Sequence, residues 1–282
     1  PAPGTKVNQV KALQADIALA VGKSNVRIAQ SGTHLAVQIA RESREPVKLS
    51  NLLNQLGEMP RYTAVLGLSE DGAPLLARFS SPDVGHVLIA GTTGSGKTSL
   101  AQSIVLSLCD HHHPRELGII VLDPKRRESD QFTRVIAKHL LLPVAHTREE
   151  VTGAVNKVLD VMEKRTTDAE PMPRILVYAD ELADLCQMGG EDLILSLTRI
   201  AQRGREPGVH LLACTQKPSS KAIGSLLKAN LPLRLVGRVM SAEDARMAAG
   251  IAGCGAERLS GCGDFIAVTG TRTIRFQAAL PV

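Results

Sequence analysis

Residues 91–98, Gly91-Thr92-Thr93-Gly94-Ser95-Gly96-Lys97-Thr98, match the pattern G-x-x-x-x-G-K-[ST] at every fixed position. This pattern is typical of a phosphate-binding loop. The apolar run before it, residues 86–90, predicts a buried strand, and the residues after it carry apolar side chains at helical spacing. In this order of strand, loop and helix, backbone N–H groups and the helix N-terminus can surround a phosphate. The sequence therefore predicts a nucleotide-binding site at this loop.

The residue types within the loop assign its chemistry. The glycines let the backbone close around a phosphate, because they adopt conformations that other residues rarely reach. We expect Lys97 to reach the β- and γ-phosphates, and to face solvent in the empty loop. We expect the Thr98 hydroxyl to hold Mg²⁺. The predicted nucleotide-binding residues are Gly91, Thr92, Thr93, Gly94, Ser95, Gly96, Lys97, Thr98 and Ser99.

The composition restricts the class of partner. The net charge of +5 is compatible with a polyanion. The 282 residues include no Trp, four Phe and two Tyr, whereas proteins that bind single-stranded nucleic acid stack its bases on exposed aromatic rings. If the chain binds nucleic acid, contacts to duplex phosphates are therefore favoured. No apolar run approaches the 18 residues or so of a membrane-spanning helix, and the five scattered cysteines indicate a reducing compartment.

Two regions of the chain differ in pattern. Residues 1–82 predict a small α+β domain: a helix over residues 7–21, two strands joined by a turn at residues 31–33, a short helix and two further strands. From residue 83 to residue 282, apolar strands alternate with helices. This alternation is typical of an α/β domain with a parallel-rich sheet.

Polar residues end two of the predicted parallel strands, where such sheets bind ligands. Asp180 and Glu181 follow the strand at residues 174–179, and Gln216 follows the strand at residues 209–214. We interpret Asp180 as a Mg²⁺ ligand and Glu181 as the group that polarises an attacking water. The alternative is that both acids only cap the following helix. Gln216 is a candidate to hydrogen-bond the γ-phosphate or the water.

Basic residues provide two further sets of candidates. Arg203, Arg205 and Arg246 are candidates for an arginine that stabilises the transition state, in its own subunit or in a neighbouring one. The other basic residues lie in or beside loops and either line a DNA channel or are ordinary solvated charges. They are Lys125, Arg126, Arg127, Lys217, Lys221 and Lys228.

With these elements in place, the chain resembles the FtsK/SpoIIIE family of DNA translocases almost from end to end. The resemblance rests on six segments. They are HVLIAGTTGSGKTSL (86–100), VLDPK (121–125), ILVYADELADL (175–185), IAQRGREPGVHLLACTQKPS (200–219), LKANLPLRLVGRVMSAEDARMAAG (227–250) and GAERLSGCGDF (255–265). The N-terminal region is similar to the small domain that precedes the motor core in this family.

The resemblance implies a RecA-like P-loop NTPase core that uses ATP and Mg²⁺. It implies a homo-hexameric ring that encloses double-stranded DNA and translocates it. Lys97, Thr98, Asp180, Glu181 and Gln216 fall on the nucleotide-site positions of the family. Two alternatives remain. One is an ATPase that powers protein secretion, and the other is a nucleotide switch or ring scaffold without motor activity, although an intact Glu181 argues against the latter.

The resemblance also ranks the arginines and the DNA contacts. Arg205 falls on an arginine of the family's A-Q-[KR]-x-R stretch and is the preferred trans finger, with Arg246 as second choice. Arg126, Arg127, Lys217 and Lys221 are the DNA-contact candidates; Lys217 stands where the family has Arg, and Lys221 lies where the family has acidic residues. We expect a cytoplasmic location, with a membrane anchor or partner domain left open outside residues 1–282, and no winged-helix domain after residue 282.

Overall fold

The computed structural model describes residues 6–22, 26–31, 34–39, 46–165 and 172–281. The chain divides into two compact units, Pro1–Pro46 and Val47–Val282. None of the helices in the described part of the chain is long and apolar enough to cross a membrane.

The first unit contains two helices and a hairpin. Its elements are α1 (Val7–Ala12), α2 (Gln14–Ala20), β1 (Val26–Ser31) and β2 (His34–Ile39). The helix predicted over residues 7–21 is therefore two short helices that meet at Leu13. The two strands pair antiparallel, and Val26 and Ile28 of β1 are buried. Residues 32 and 33 of the predicted turn lie outside the described residues.

The second unit contains the remaining strands and helices. Its first half comprises α3 (Leu49–Leu56), β3 (Thr63–Ser69), β4 (Pro74–Arg78), β5 (Val87–Ala90), α4 (Lys97–Asp110), β6 (Leu117–Leu122), α5 (Asp130–Val135) and α6 (Arg148–Lys164). Its second half comprises β7 (Arg174–Ala179), α7 (Leu182–Arg203), β8 (Val209–Thr215), α8 (Ser220–Ile223), α9 (Ser225–Ala229), β9 (Leu233–Val236), α10 (Ala242–Ala249), β10 (Asp264–Thr269) and β11 (Arg272–Ala278).

One nine-stranded sheet organises this unit, in the order β4-β3-β11-β10-β9-β5-β8-β7-β6. The five strands from β9 to β6 are parallel to one another, and the other four extend the sheet in antiparallel register. The predicted α/β class with a parallel-rich sheet is therefore confirmed. Because the parallel strands end at one edge, the loops that follow β5, β6, β7, β8 and β9 meet there.

The division of the chain at residues 46 and 47 differs from the boundary predicted at residue 82. Residues 47–82 supply α3, β3 and β4, and β3 pairs with β11 in the main sheet. The approach is close at Gly67, where a Cβ would lie 2.0 Å from the carbonyl oxygen of Gln277. The residue pattern of β3 predicted a strand correctly. One of its partners is the neighbouring β4, but the other, β11, lies about 200 residues further along the chain, beyond the reach of local pattern.

Helices cover both faces of the parallel strands, and the residues of each strand alternate between the two cores. On one face α4 and α5 pack on side chains such as Ile89 and Leu212. On the other face α6 and α7 pack on Leu88 and Leu211. The helix predicted over residues 191–203 extends back to Leu182, with a break in helical conformation at Gly190. These two layers hold the ends of the parallel strands at fixed spacing.

Candidate functional site

The glycine-rich loop connects β5 to α4, as its pattern predicts. Gly94 and Gly96 have φ of 79° and 98°, a region that favours glycine. At Gly91 a Cβ would lie 2.8 Å from Ser95 Oγ, and at Gly96 it would lie 3.0 Å from the backbone nitrogen of Gly263. The glycines are therefore required by the backbone conformation and by close packing as well as by room for a phosphate.

Lys97 does not face solvent, and that expectation was wrong. Its side chain is buried, and Nζ donates to the carbonyl oxygens of Gly91 (2.9 Å) and Thr92 (3.0 Å). Burial lowers the pKa of Lys97, and the carboxylates of Glu181 and Asp180 oppose that shift. The loop carbonyls solvate the ammonium group in place of water, so the lysine is already held inside the loop.

Two segments far along the chain support the loop, and sequence reasoning assigned neither of them a role. The carbonyl oxygen of Arg238 accepts from Thr92 N (2.8 Å) and Thr92 Oγ1 (3.1 Å). Cys262 N donates to the oxygen of Gly94 (3.1 Å), and Gly263 N donates to the oxygen of Ser95 (2.9 Å). The cluster Gly261-Cys262-Gly263 was the available signal, since closely spaced glycines often mark a close backbone approach.

Asp180 ends β7 with one carboxylate oxygen free for a ligand. Oδ1 accepts from the Tyr178 hydroxyl at 3.3 Å, and Oδ2 is buried without a hydrogen-bond partner among the described residues. Burial raises the pKa of Asp180, and the neighbouring Asp123 carboxylate raises it further. An orphaned buried oxygen of this kind is costly unless a cation or a donor completes it. Asp180 therefore fits the metal-ligand role.

Asp180 and Thr98 suit Mg²⁺ because this ion commonly takes one or two protein ligands and completes its shell with phosphates and water. Both side chains line one pocket of about 200 Å³ together with Thr93, Gly94, Gly96, Lys97 and Ser99, whereas the predicted residues Gly91, Thr92 and Ser95 are not part of its lining. No group of three or more His, Cys, Asp or Glu side chains in the described ranges could hold a metal ion. The donors here suit a cation shared with a nucleotide better than one held by the protein alone.

Glu181 is held by the neighbouring strand. Its Oε1 accepts from Thr215 Oγ1 (2.8 Å) and from the backbone nitrogen of Gln216 (3.1 Å), and its side chain is 3% exposed. Glu181 is the N-cap residue of α7 by position, but its side chain makes no capping hydrogen bond. The helix-cap alternative is therefore not what orients this carboxylate. β8 orients it in the same pocket as the loop.

Gln216 connects the end of β8 to the loop. Its Oε1 accepts from Thr93 Oγ1 at 3.1 Å. Gln216, Asp180 and Glu181 line the pocket with the loop residues, and Arg127 lines it as well. Arg127 was predicted to contact DNA, but the structure places it at the nucleotide pocket. The cause is Asp123, whose carboxylate accepts from the backbone nitrogens of Arg127 (3.1 Å) and Glu128 (3.0 Å) and turns the chain towards the loop.

The arginine-finger candidates lie away from this pocket. Arg205 precedes β8, at the amino edge of the parallel strands, and its Cδ lies 3.3 Å from the Cβ position of Gly85. With Arg203 it lines a separate cavity of about 1290 Å³. Arg246 is an exposed residue of α10. Within one chain the structure therefore brings neither Arg205 nor Arg246 to the loop.

The remaining DNA-contact candidates are exposed at or near the carboxyl edge of the parallel strands. Lys217 follows Gln216, Lys221 lies in α8, and Arg126 lies in the loop after β6. Arg126 adopts a φ of 52°, which is unusual for a residue other than glycine. Of the other basic residues, Lys125 forms an ion pair with Asp184. Lys217, Lys221 and Arg126 thus stay available to a partner in solution.

The sequence of this chain matches the model of the FtsK/SpoIIIE family in two overlapping segments, residues 54–170 and 143–220. A DNA translocase FtsK of Sporosarcina ureae is 32% identical over 99% of this chain and 39% of its own length. The DNA translocase SftA of Bacillus subtilis is 33% identical over 94% of this chain and 30% of its own length. The chain thus spans between 30% and 39% of the length of these two relatives.

Solved structures share the fold. The pCW3 conjugation coupling protein TcpA, in a monomer form with ATPγS, has a TM-score of 0.72 at 19% identity, over 98% of this chain and 82% of that chain. The cytoplasmic domain of the type VII secretion ATPase EccC from Thermomonospora curvata has a TM-score of 0.70 at 24% identity, over 85% of this chain and 33% of that chain. The family-model segments together cover more than half of the 282 residues. The chain belongs to the FtsK/SpoIIIE family.

Proposed function

We propose that this chain is the motor part of an ATP-driven translocase of double-stranded DNA. The observation that carries the proposal is the pocket in which the glycine-rich loop, Asp180, Glu181 and Gln216 meet. A loop alone binds nucleotide, whereas hydrolysis also needs a group that accepts a proton from water and a group that binds the metal. Two buried acids in the same pocket supply both requirements.

The residues of the pocket divide the work. Thr98 and Asp180 would hold Mg²⁺, which neutralises charge on the β- and γ-phosphates when bound. Lys97 binds the same phosphates by exchanging its bonds to the Gly91 and Thr92 carbonyls for bonds to the nucleotide. Glu181, fixed by two hydrogen bonds from the end of β8, accepts the proton of the attacking water. Gln216 follows directly after β8, and its side chain is hydrogen-bonded to Thr93 of the loop. Its side chain is therefore placed to change contacts when the γ-phosphate leaves.

The position of Arg205 supports a ring. It lies at the edge of the sheet opposite the loop, so it can serve a nucleotide only in another subunit. We therefore propose a homo-hexamer in which Arg205 of one subunit reaches the pocket of the next, with Arg246 as the alternative finger. An arginine supplied in this way acts on charge that develops in the transition state.

Double-stranded DNA is the proposed substrate because the curated relatives are named DNA translocases. The chain's own residues agree with this, since exposed basic residues lie at or near the carboxyl edge of the parallel strands and aromatic residues are few. Phosphate contacts carry no sequence information, so binding should not depend on sequence. A cytoplasmic location, where DNA and ATP are both present, is part of the proposal.

The test is DNA-stimulated ATPase activity at several salt concentrations. Wild-type protein should hydrolyse ATP faster with duplex DNA, and the binding constant should fall steeply with salt. Lys217→Ala with Lys221→Ala should flatten the slope of log K against log salt by about 1.8, since each phosphate contact contributes about 0.9. A matched control replaces Lys138 and Lys157, which are equally exposed but lie outside the loops and helix that follow β6 and β8. It should keep the wild-type slope.

The second candidate function is an ATPase that powers protein secretion, and the fold shared with EccC favours it. This candidate predicts ATPase activity that DNA does not change. Salt-resistant binding to single strands, or ATPase activity indifferent to duplex DNA, would contradict the translocase proposal and support the secretion function.

A further inference from the structure

A chain of hydrogen bonds behind Asp180 has no role in the mechanism above. The Tyr178 hydroxyl has one proton and lies 2.5 Å from Glu128 Oε1 and 3.3 Å from Asp180 Oδ1, so the two carboxylates share that proton in a three-centre hydrogen bond. Gln102 Nε2, on α4, donates to the other oxygen of Glu128 at 2.7 Å. Side chains from α4, from the loop after β6 and from β7 thus form a chain of contacts that reaches Asp180 through Tyr178.

Packing fixes the position of the Tyr178 hydroxyl. The side chain is fully buried, and its ring meets the ring of Phe132 edge to face at 6.3 Å between centroids. A buried phenol needs a hydrogen-bond partner, and Glu128 provides it. Burial raises the pKa of Glu128, and the hydrogen bonds from Tyr178 and Gln102 oppose that shift. The hydroxyl is therefore held beside Asp180 by its packed ring.

The two oxygens of Asp180 are in different environments. Oδ1 is beside the Tyr178 hydroxyl, whereas Oδ2 is buried and lacks a partner within the described part of the chain. The terminal torsion angle of an aspartate side chain has no narrow preferred value, so the carboxylate group can rotate about that bond. The proton that the hydroxyl shares between Glu128 and Asp180 Oδ1 restricts that rotation and leaves Oδ2 for a cation.

We propose that Tyr178, whose buried ring fixes its hydroxyl beside Asp180, is a positioning residue that orients the Asp180 carboxylate for the divalent cation bound with the nucleotide. The inference rests on the proposed function, because it takes this cation to be the one that accompanies ATP. Loss of a hydrogen-bond partner behind a metal ligand typically weakens metal binding by about 10- to 100-fold.

The direct test is Tyr178→Phe, which removes the hydroxyl and keeps the ring. Mn²⁺ binding is measured by electron paramagnetic resonance in the presence of a non-hydrolysable ATP analogue, and binding of that analogue is measured again in EDTA. Mn²⁺ binding should weaken by about 10- to 100-fold, while the metal-free affinity for the analogue stays unchanged. The matched control is Tyr62→Phe, the same change at the chain's other tyrosine. Tyr62 lies just before β3, and its ring stacks on His112. It should leave both affinities unchanged.

Variants of Glu128 separate positioning from packing. Glu128→Gln can still accept from Tyr178 if the Gln102 amide turns over, so it should stay close to wild type in Mn²⁺ affinity. Glu128→Ala removes the acceptor that competes with Asp180 for the hydroxyl proton, so it should not lose Mn²⁺ affinity, and the double variant should lose as much as Tyr178→Phe alone.

Three outcomes of these measurements count against a proposal. Unchanged Mn²⁺ affinity in Tyr178→Phe overturns the inference. An equal loss of analogue binding in EDTA also overturns it, because that result indicates a general structural role. If wild-type protein bound the analogue no better with Mn²⁺ than in EDTA, the proposed function itself would fail, and the inference with it.

Discussion

Replacing Glu181 by Gln tests whether this side chain is a catalytic base. Glu181 Oε1 accepts two hydrogen bonds, from Thr215 Oγ1 and Gln216 N, and an amide oxygen can accept both. The variant therefore keeps the geometry and loses the charge. We expect ATP to bind with unchanged affinity and single-turnover hydrolysis to fall by about 10²- to 10⁴-fold, the usual contribution of a positioned base. At 1.36 kcal/mol for each factor of ten, this corresponds to about 2.7–5.4 kcal/mol.

The effect on stability should be much smaller than the effect on rate. Hydrogen bonds to an ionised group contribute about 1.5–3 kcal/mol each and neutral ones about 0.5–1.5 kcal/mol, so the two bonds become weaker. Removing the charge also removes the cost of burying a carboxylate that is 3% exposed, which is several kcal/mol. These two effects have opposite signs. We therefore expect the melting temperature of Glu181→Gln to stay within a few degrees of wild type.

Glu181→Ala is the informative contrast, because it leaves the Thr215 hydroxyl and the Gln216 amide without their acceptor. Each buried unsatisfied group costs about 1–3 kcal/mol, and both variants remove the buried charge, so Glu181→Ala should be less stable than Glu181→Gln by about 2–6 kcal/mol. Single-turnover hydrolysis of radiolabelled ATP and thermal melting, measured on both variants, distinguish the catalytic effect of the charge from the structural effect of the hydrogen bonds. Hydrolysis by Glu181→Gln at the wild-type rate would refute the reasoning and leave Glu181 as a purely structural residue.

The remaining predictions concern Lys97 and Arg205. Lys97→Ala and Lys97→Met should both abolish ATP turnover, and Lys97→Met should melt at the higher temperature because it fills the buried site of the lysine stem; steady-state turnover near wild type in either variant would remove the phosphate-binding assignment. Arg205→Ala subunits should bind ATP normally and hydrolyse it about 10³- to 10⁵-fold more slowly. Mixing them with Lys97→Ala subunits should restore part of the activity, because some interfaces then combine an intact loop with an intact arginine. Mixed rings with no recovered ATPase would instead indicate a role within one subunit, or favour Arg246.

Local pattern was sufficient for the elements that carry the chemistry. The glycine-rich loop, the acid pair after β7 and the amide after β8 each follow an apolar run, so sequence alone placed them at strand ends. The topological rule that ligands bind at the carboxyl edge of parallel strands then brought them together before any coordinates were considered. The parallel-rich α/β class and these pocket residues were therefore predictable.

Contacts between distant parts of the chain were not predictable in the same way. The pairing of β3 with β11 brings residues 47–82 into the main sheet, and residues 262–263, just before β10, support the loop through backbone atoms, a contact that the nearby glycines suggest only as a close approach of unknown partner. The amine of Lys97 folds back onto loop carbonyls, which only the closed shape of the loop determines.

The roles of Arg127 and Tyr178 depended on tertiary structure for the same reason. A basic residue in a loop has the same sequence pattern whether it faces DNA or nucleotide. The Asp123 carboxylate, which follows a strand three positions from β5 in the sheet, turns Arg127 to the pocket. In the sequence, Tyr178 looks like any other residue of a buried apolar strand. Only the packing of its ring places the hydroxyl between Glu128 and Asp180. Sequence thus determined which residue types meet at the edge of the sheet, because strand periodicity and loop chemistry are local. Tertiary structure decided which atoms face one another, because that depends on side chains brought together from distant segments.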